Sequence, residues 1–135
     1  MRELDILATL DNLDEVLAFV DEELEKMGCP QRDMYQIDVC VEEIFSNIAN
    51  YAYNPDTGPA TIRVEVLDDP KEITLTFFDH GTPFDPLAKE DPDVTLEAEE
   101  RRIGGLGVYI VKKSMDQIGY EYRDGQNILT IKKTI

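Results

Sequence analysis

Residues 60–78 read ATIRVEVLDDPKEITLTFF. Ala60 to Leu67 and Glu72 to Phe78 both alternate apolar with polar positions and are rich in β-branched and aromatic side chains, which fits half-buried strands. Asp68, Asp69, Pro70 and Lys71 separate them, so the two runs form an antiparallel hairpin. Downstream, Ile118 to Arg123 and Asn127 to Ile131 flank Asp124-Gly125, a second hairpin signal. Upstream, residues 3–8 (ELDILA) alternate as a further strand. Strands therefore outnumber helices and do not alternate with them one for one, which argues against a doubly wound parallel sheet. The expected fold is an α+β two-layer sandwich, a mainly antiparallel mixed sheet covered on one face by three helices.

The helices are read from spacing. Asp11 is a candidate N-cap for a helix running to about Lys26, in which Leu13, Val16, Leu17, Val20, Leu24 and Met27 form an apolar stripe, and Gly28 stops it. Pro30 suits the first turn of a second helix. That helix runs to about Tyr53, before Asn54, Pro55 and Gly58, with Met34, Ile37, Val41, Ile44, Ile48 and Ala52 on one face. A third helix spans Gly107 to Gln117. Residues 80–103 hold Pro83, Pro86 and Pro92 with many acids and read as a long loop, with a short helical turn around Thr95 to Glu100; such loops are often lids.

The length of 135 residues fits one domain, residues 1–135, and 42% hydrophobic with 31% charged residues marks it as globular rather than disordered. No stretch approaches the roughly 20 apolar residues of a membrane span. MRELDILATLDNLDE carries acids where a secretory signal needs an apolar run, so a cytoplasmic protein without membrane contact is expected. Cys29 and Cys40 lack the spacing and histidine companions of a zinc site and read as ordinary thiols in a reducing compartment. A formal charge of −16 argues against nucleic acid. That charge is uneven. Residues 101–135 hold seven Lys or Arg against three acids, so the glycine-rich segment at their start is where a phosphate would be least repelled.

Three segments carry candidate chemistry. Glu43 and Asn47 in CVEEIFSNIAN are one helical turn apart and can address one ligand, with Asn50 clustered beside them. Asn47 offers a neutral oxygen to Mg²⁺, and Glu43 stands where it could orient or deprotonate a nucleophile. Asp79 ends a strand in FFDHGTPF, where its carboxylate can accept from the exocyclic amine of adenine while Gly81 allows close backbone approach. Alone, Asp79 could equally begin a turn. Gly104, Gly105, Leu106 and Gly107 open a helix with exposed amides suited to phosphate, without the ending of a P-loop.

Glu43-x-x-x-Asn47, Asp79-x-Gly81 and Gly105-x-Gly107 resemble the N, G1 and G2 boxes of the GHKL ATPases, and the resemblance covers the whole chain. The small size, the form DHGTPF (79–84) and the form GGLGVYI (104–110) are most similar to the stand-alone anti-sigma-factor serine-protein kinases of RsbW type. The resemblance implies a Bergerat fold, ATP and Mg²⁺ as cofactors, Asn47 as the metal ligand, Glu43 as catalytic base, Asp79 as adenine reader and residues 85–103 as the ATP lid. It implies a small anti-anti-sigma-type protein as substrate, a sigma factor as a further partner, and a homodimer. Arg101 and Arg102 would neutralise γ-phosphate charge or contact a partner, and Arg102 is counted with the nucleotide-binding residues. Two positions depart from the pattern: Pro83 replaces a glycine common in G1, and Tyr51 stands where these kinases often have His. The sole histidine, His80, reads as a turn residue. The alternative function is a non-catalytic, nucleotide-dependent module that sequesters a sigma factor or another regulator.

Overall fold

A computed structural model describes residues 1–85 and 105–135. The helical turn expected around Thr95 to Glu100 lies outside the described residues. In order, the elements are β1 (Arg2–Leu7), α1 (Leu13–Lys26), α2 (Gln31–Asn47), β2 (Pro59–Asp68), β3 (Lys71–Asp79), α3 (Gly105–Ser114), β4 (Gln117–Arg123) and β5 (Gln126–Thr134). The strands form one sheet, β1-β2-β3-β5-β4, antiparallel at every described pairing.

Alternation along each strand builds two unlike faces. Leu4, Ile62, Phe77 and Leu129 lie opposite one another across four strands, and Val64, Leu75, Ile131 and Ile118 make the next row. Val16, Val20 and Leu24 of α1, Ile37, Val41 and Phe45 of α2, Val111 of α3 and Met115 just after it close over these rows in one continuous core. Each fully buried aliphatic or aromatic side chain contributes about 1.5–3 kcal/mol. The opposite face is largely polar apart from the Phe78–Ile128 pair: Arg63 Nε donates to Glu3 Oε2 at 2.6 Å and Thr61 Oγ1 to Asp5 Oδ1 at 2.6 Å. The covered face changes character at one end, where the row passes from Ala60 to Asp79, Asn127 and Tyr122.

Both hairpins lie within a residue or two of their expected limits at most ends, although β5 continues to Thr134. At Asp124-Gly125 both residues have positive φ, 55° and 78°, the geometry of a tight primed turn that Gly adopts without steric cost. The helix starts differ from the reading. Asp11 does not cap α1, because it sits inside a 3₁₀ turn, Leu10–Asn12, while Asn12 Nδ2 donates to the Leu7 carbonyl at 2.8 Å and ties that turn to β1. Pro30 precedes α2 rather than opening it, with φ −60° and ψ 147°, and its carbonyl accepts from Met34 N. α1 ends at Lys26, and Gly28 stops it as expected, with the amides of Gly28 and Cys29 bonding back to the carbonyls of Glu25 and Leu24. α3 ends at Ser114, short of Gln117, because Gln117 already belongs to β4. Helical structure does continue to Ala52, but its last turn, Ile48–Ala52, is a π turn. No described helix is long and apolar enough to cross a membrane.

One carboxyl pair lies between α1 and α2. Asp21 and Asp38 each have a buried Oδ1 with no donor in reach, and a proton on one carboxyl supplies the missing donor. Burial, and then the hydrogen bond with and charge of Asp21, push the Asp38 carboxyl from 3.8 up to about 8. Cys29 also feels Asp38, though its thiol is raised chiefly by burial. Because the folded value exceeds the unfolded one, the folded chain holds a proton that the unfolded chain releases, so stability falls as pH rises through that window. Asp38→Asn, which gives Asp21 a neutral donor, should therefore raise Tm more at about pH 8 than at about pH 5. Equal shifts at both pH values, read by thermal melts, would contradict the shared proton.

Candidate functional site

α2 delivers Glu43 and Asn47 to one wall of a cleft, since residues four apart on a helix share a face. The cleft holds about 930 Å³ of empty space, part of it open to solvent. Its walls are largely apolar: Ile44 and Ile48 of the helix and π turn, Phe77 of β3, Val111 of α3, Ile118 of β4 and Leu129 of β5. Glu43, Asn47, Asp79, Tyr120 and Asn127 supply the polar groups. Apolar walls with a few placed polar groups suit a flat ring with a polar edge.

Asp79 is 5% exposed. Its Oδ1 accepts from Gly81 N at 2.9 Å and from Asn127 Nδ2 at 2.9 Å, and its Oδ2 has no partner among the described residues. One carboxylate oxygen is thus fixed while the other remains available to a donor on a ligand. Asn127, directly across from Asp79 in the ladder, is itself 6% exposed. Its Nδ2 also reaches Thr82 O at 3.0 Å and Gly81 O at 3.4 Å, and its Oδ1 accepts from Phe84 N at 3.2 Å and from the Tyr120 hydroxyl. Burial pushes the Tyr120 hydroxyl upward, so it remains a donor at neutral pH. Two donors on Oδ1 fix which way the Asn127 amide points.

The π turn places the helix end against the segment after β3. Thr82 N donates to Ala52 O at 2.9 Å, and a Cβ at Gly81 would lie 2.2 Å from that same oxygen. Gly81 is needed for this approach to Ala52. Tyr53 adds a second tie, its hydroxyl donating to Pro59 O at 2.6 Å and accepting from His80 N at 2.8 Å.

Glu43, Asn47 and Asp79 all line this one cleft. Asn50 does not join them: it is exposed and absent from the cleft wall. In an unbroken α-helix position 50 would return to the face of Glu43, seven residues earlier, but the wider π turn advances each residue by a smaller angle and carries it off that face. Gly105, Leu106 and Gly107 lie in the first turn of α3, and Val111 of that helix lines the cleft. Gly104, Arg101, Arg102 and the expected lid beyond Asp85 lie outside the described residues. Tyr51 and Pro83, the two departures, both line the cleft. His80 is exposed, with Nε2 3.2 Å from Gln126 Nε2, and does not line it. Asn127 and Tyr120 were not singled out from the sequence; the only available signal is that each alternates onto the covered face beside an apolar neighbour.

No group of three or more His, Cys, Asp or Glu side chains able to hold a metal occurs among the described residues. Asn47 on the cleft wall offers a neutral oxygen of the kind that Mg²⁺ takes when its other ligands are phosphate oxygens and water.

A model of the histidine kinase-like ATPase domain matches residues 6–133. The serine/threonine-protein kinase BtrW of Bordetella bronchiseptica is 28% identical over 97 residues, covering 72% of this chain and 68% of BtrW. The serine-protein kinase RsbW of Bacillus mycoides is 30% identical over 111 residues, covering 79% and 68%. A chain from the crystal structure of the SiaB–SiaC complex of Pseudomonas aeruginosa shares the fold, with a TM-score of 0.61 at 16% identity over 98% of this chain and 89% of that one. With the domain model matched from within β1 to within β5, the chain belongs to the histidine kinase-like ATPase domain family and is related to RsbW and BtrW.

Proposed function

We propose that this protein is an ATP-dependent serine-protein kinase of the anti-sigma type, which phosphorylates a small antagonist protein using Mg-ATP. The observation that carries the reading is the meeting of Glu43, Asn47 and Asp79 on the wall of one cleft. The kinases RsbW and BtrW among its relatives point the same way.

In this reading the base enters between the apolar walls with its exocyclic amine on Asp79 Oδ2, and the amides of the first turn of α3 hold the phosphates. Asn47 would hold Mg²⁺, whose charge offsets that of the phosphates. Glu43 takes the proton of the substrate serine as its oxygen bonds to the γ-phosphorus, and the bond to the β–γ bridging oxygen breaks so that ADP leaves with the electron pair.

Titration of the folded protein with ATP and Mg²⁺ should give saturable heat, and γ-labelled ATP with a cognate anti-anti-sigma-type partner should place label on serine. Heat without transfer to any such partner would reduce the chain to a nucleotide-dependent binding module. No heat from folded protein would remove the nucleotide reading altogether.

A further inference from the structure

We propose that Asn127 is a positioning residue that sets base selectivity, by holding Asp79 so that it presents a lone acceptor to the cleft. The inference rests on the nucleotide reading above and concerns which base the cleft takes. A carboxylate has two equivalent oxygens and, unheld, can rotate to suit either a donor or an intervening water. Here Oδ1 is occupied by Gly81 N and Asn127 Nδ2. Among the described residues Oδ2 remains without a partner, and it can serve only a donor. A purine with an amino group at that edge satisfies it, whereas one with a carbonyl there would set oxygen against oxygen.

The orientation of Asn127 is what makes this one-sided. A flipped amide would turn its oxygen on Asp79 and on the carbonyls of Gly81 and Thr82, three acceptors against an acceptor. The Tyr120 hydroxyl and Phe84 N prevent the flip by donating to Oδ1. Selectivity for the base is therefore set on β5 and β4, behind the residue that touches it.

The test uses the full chain and compares Kd for ADP and GDP. Wild type should prefer ADP, and Asn127→Ala should lower the ADP-to-GDP preference by roughly tenfold, the value of one hydrogen bond of this kind. Asn127→Asp keeps the shape but replaces the donor by a second carboxylate, facing Asp79 on β3, Tyr120 and Tyr122 on β4, and near Asp85 after β3. Its ADP affinity should be low at neutral pH and recover on acidification, as one proton comes to be shared between positions 79 and 127. Wild type should show no such recovery, and a merely structural role would not produce it. Tyr120→Phe, on an edge strand, frees the amide without touching Asp79 and should give a smaller loss of preference should either Asn127 variant fail to fold. Folding is followed by circular dichroism. Unchanged preference in folded Asn127→Ala or Tyr120→Phe, or a pH-independent Asn127→Asp, overturns the role of Asn127 alone. Failure of wild type to bind either nucleotide overturns it together with the nucleotide reading.

Discussion

Glu43→Gln should retain Mg-ATP binding and lose serine phosphorylation by about 10²–10⁴-fold, the usual contribution of a positioned general base. Gln has nearly the shape of Glu and can still accept a hydrogen bond, but it cannot take up the serine proton. Glu43 is half-buried on the cleft wall one helical turn before Asn47, so the substitution leaves the apolar walls and Asp79 in place. A γ-phosphate transfer assay beside a calorimetric titration separates the two effects. Transfer at the wild-type rate would mean that the base lies elsewhere, and loss of binding would mean that Glu43 supports the nucleotide instead.

Gly81→Ala is expected to damage both stability and binding. The new Cβ would stand 2.2 Å from Ala52 O and 2.6 Å from Ala52 C and Cβ. Backbone cannot swing aside as a side-chain end can, so either the π turn or the segment after β3 must move. Either shift strains the Thr82–Ala52 hydrogen bond of 2.9 Å and the Gly81–Asp79 hydrogen bond of 2.9 Å. Overpacking of this kind costs about 1–3 kcal/mol. The expected result is a lower urea midpoint with an unchanged m-value, and ATP binding weakened because Asp79 Oδ1 loses one of its two donors. Gly119→Ala is the control, since nothing lies within 4 Å of its Cβ position. If Gly81→Ala matches that control in midpoint and affinity, the close approach to Ala52 does not constrain the site.

The parts legible in the sequence were those whose cause is local. Alternation in residues 60–78 and the Asp124-Gly125 turn follow from neighbouring residues, and so did the hairpins. Glu43 and Asn47 were legible because i and i+4 share a helix face whatever packs around them. Asn127 was not, because its partner Asp79 is 48 residues away and meets it only through the β3–β5 register. The π turn was hidden because Ile48 and Ala52 satisfy an α-helical stripe as well as a wider turn, and that turn carries Asn50 off the cleft wall. Asp21 and Asp38 look like solvated helix acids until α1 packs on α2 and buries an oxygen of each.

The strand order also decides when the cleft comes into being. Asp79 lies on β3 and its partner Asn127 on β5, and β1, β2 and β3 can pair with one another before β5 exists. A partly folded chain with only those three strands docked has Asp79 without its amide partner and lacks the Leu129 and Ile118 walls. A nucleotide thus has nothing complete to hold until the final hairpin closes, and its binding energy favours the finished sheet over every intermediate short of it.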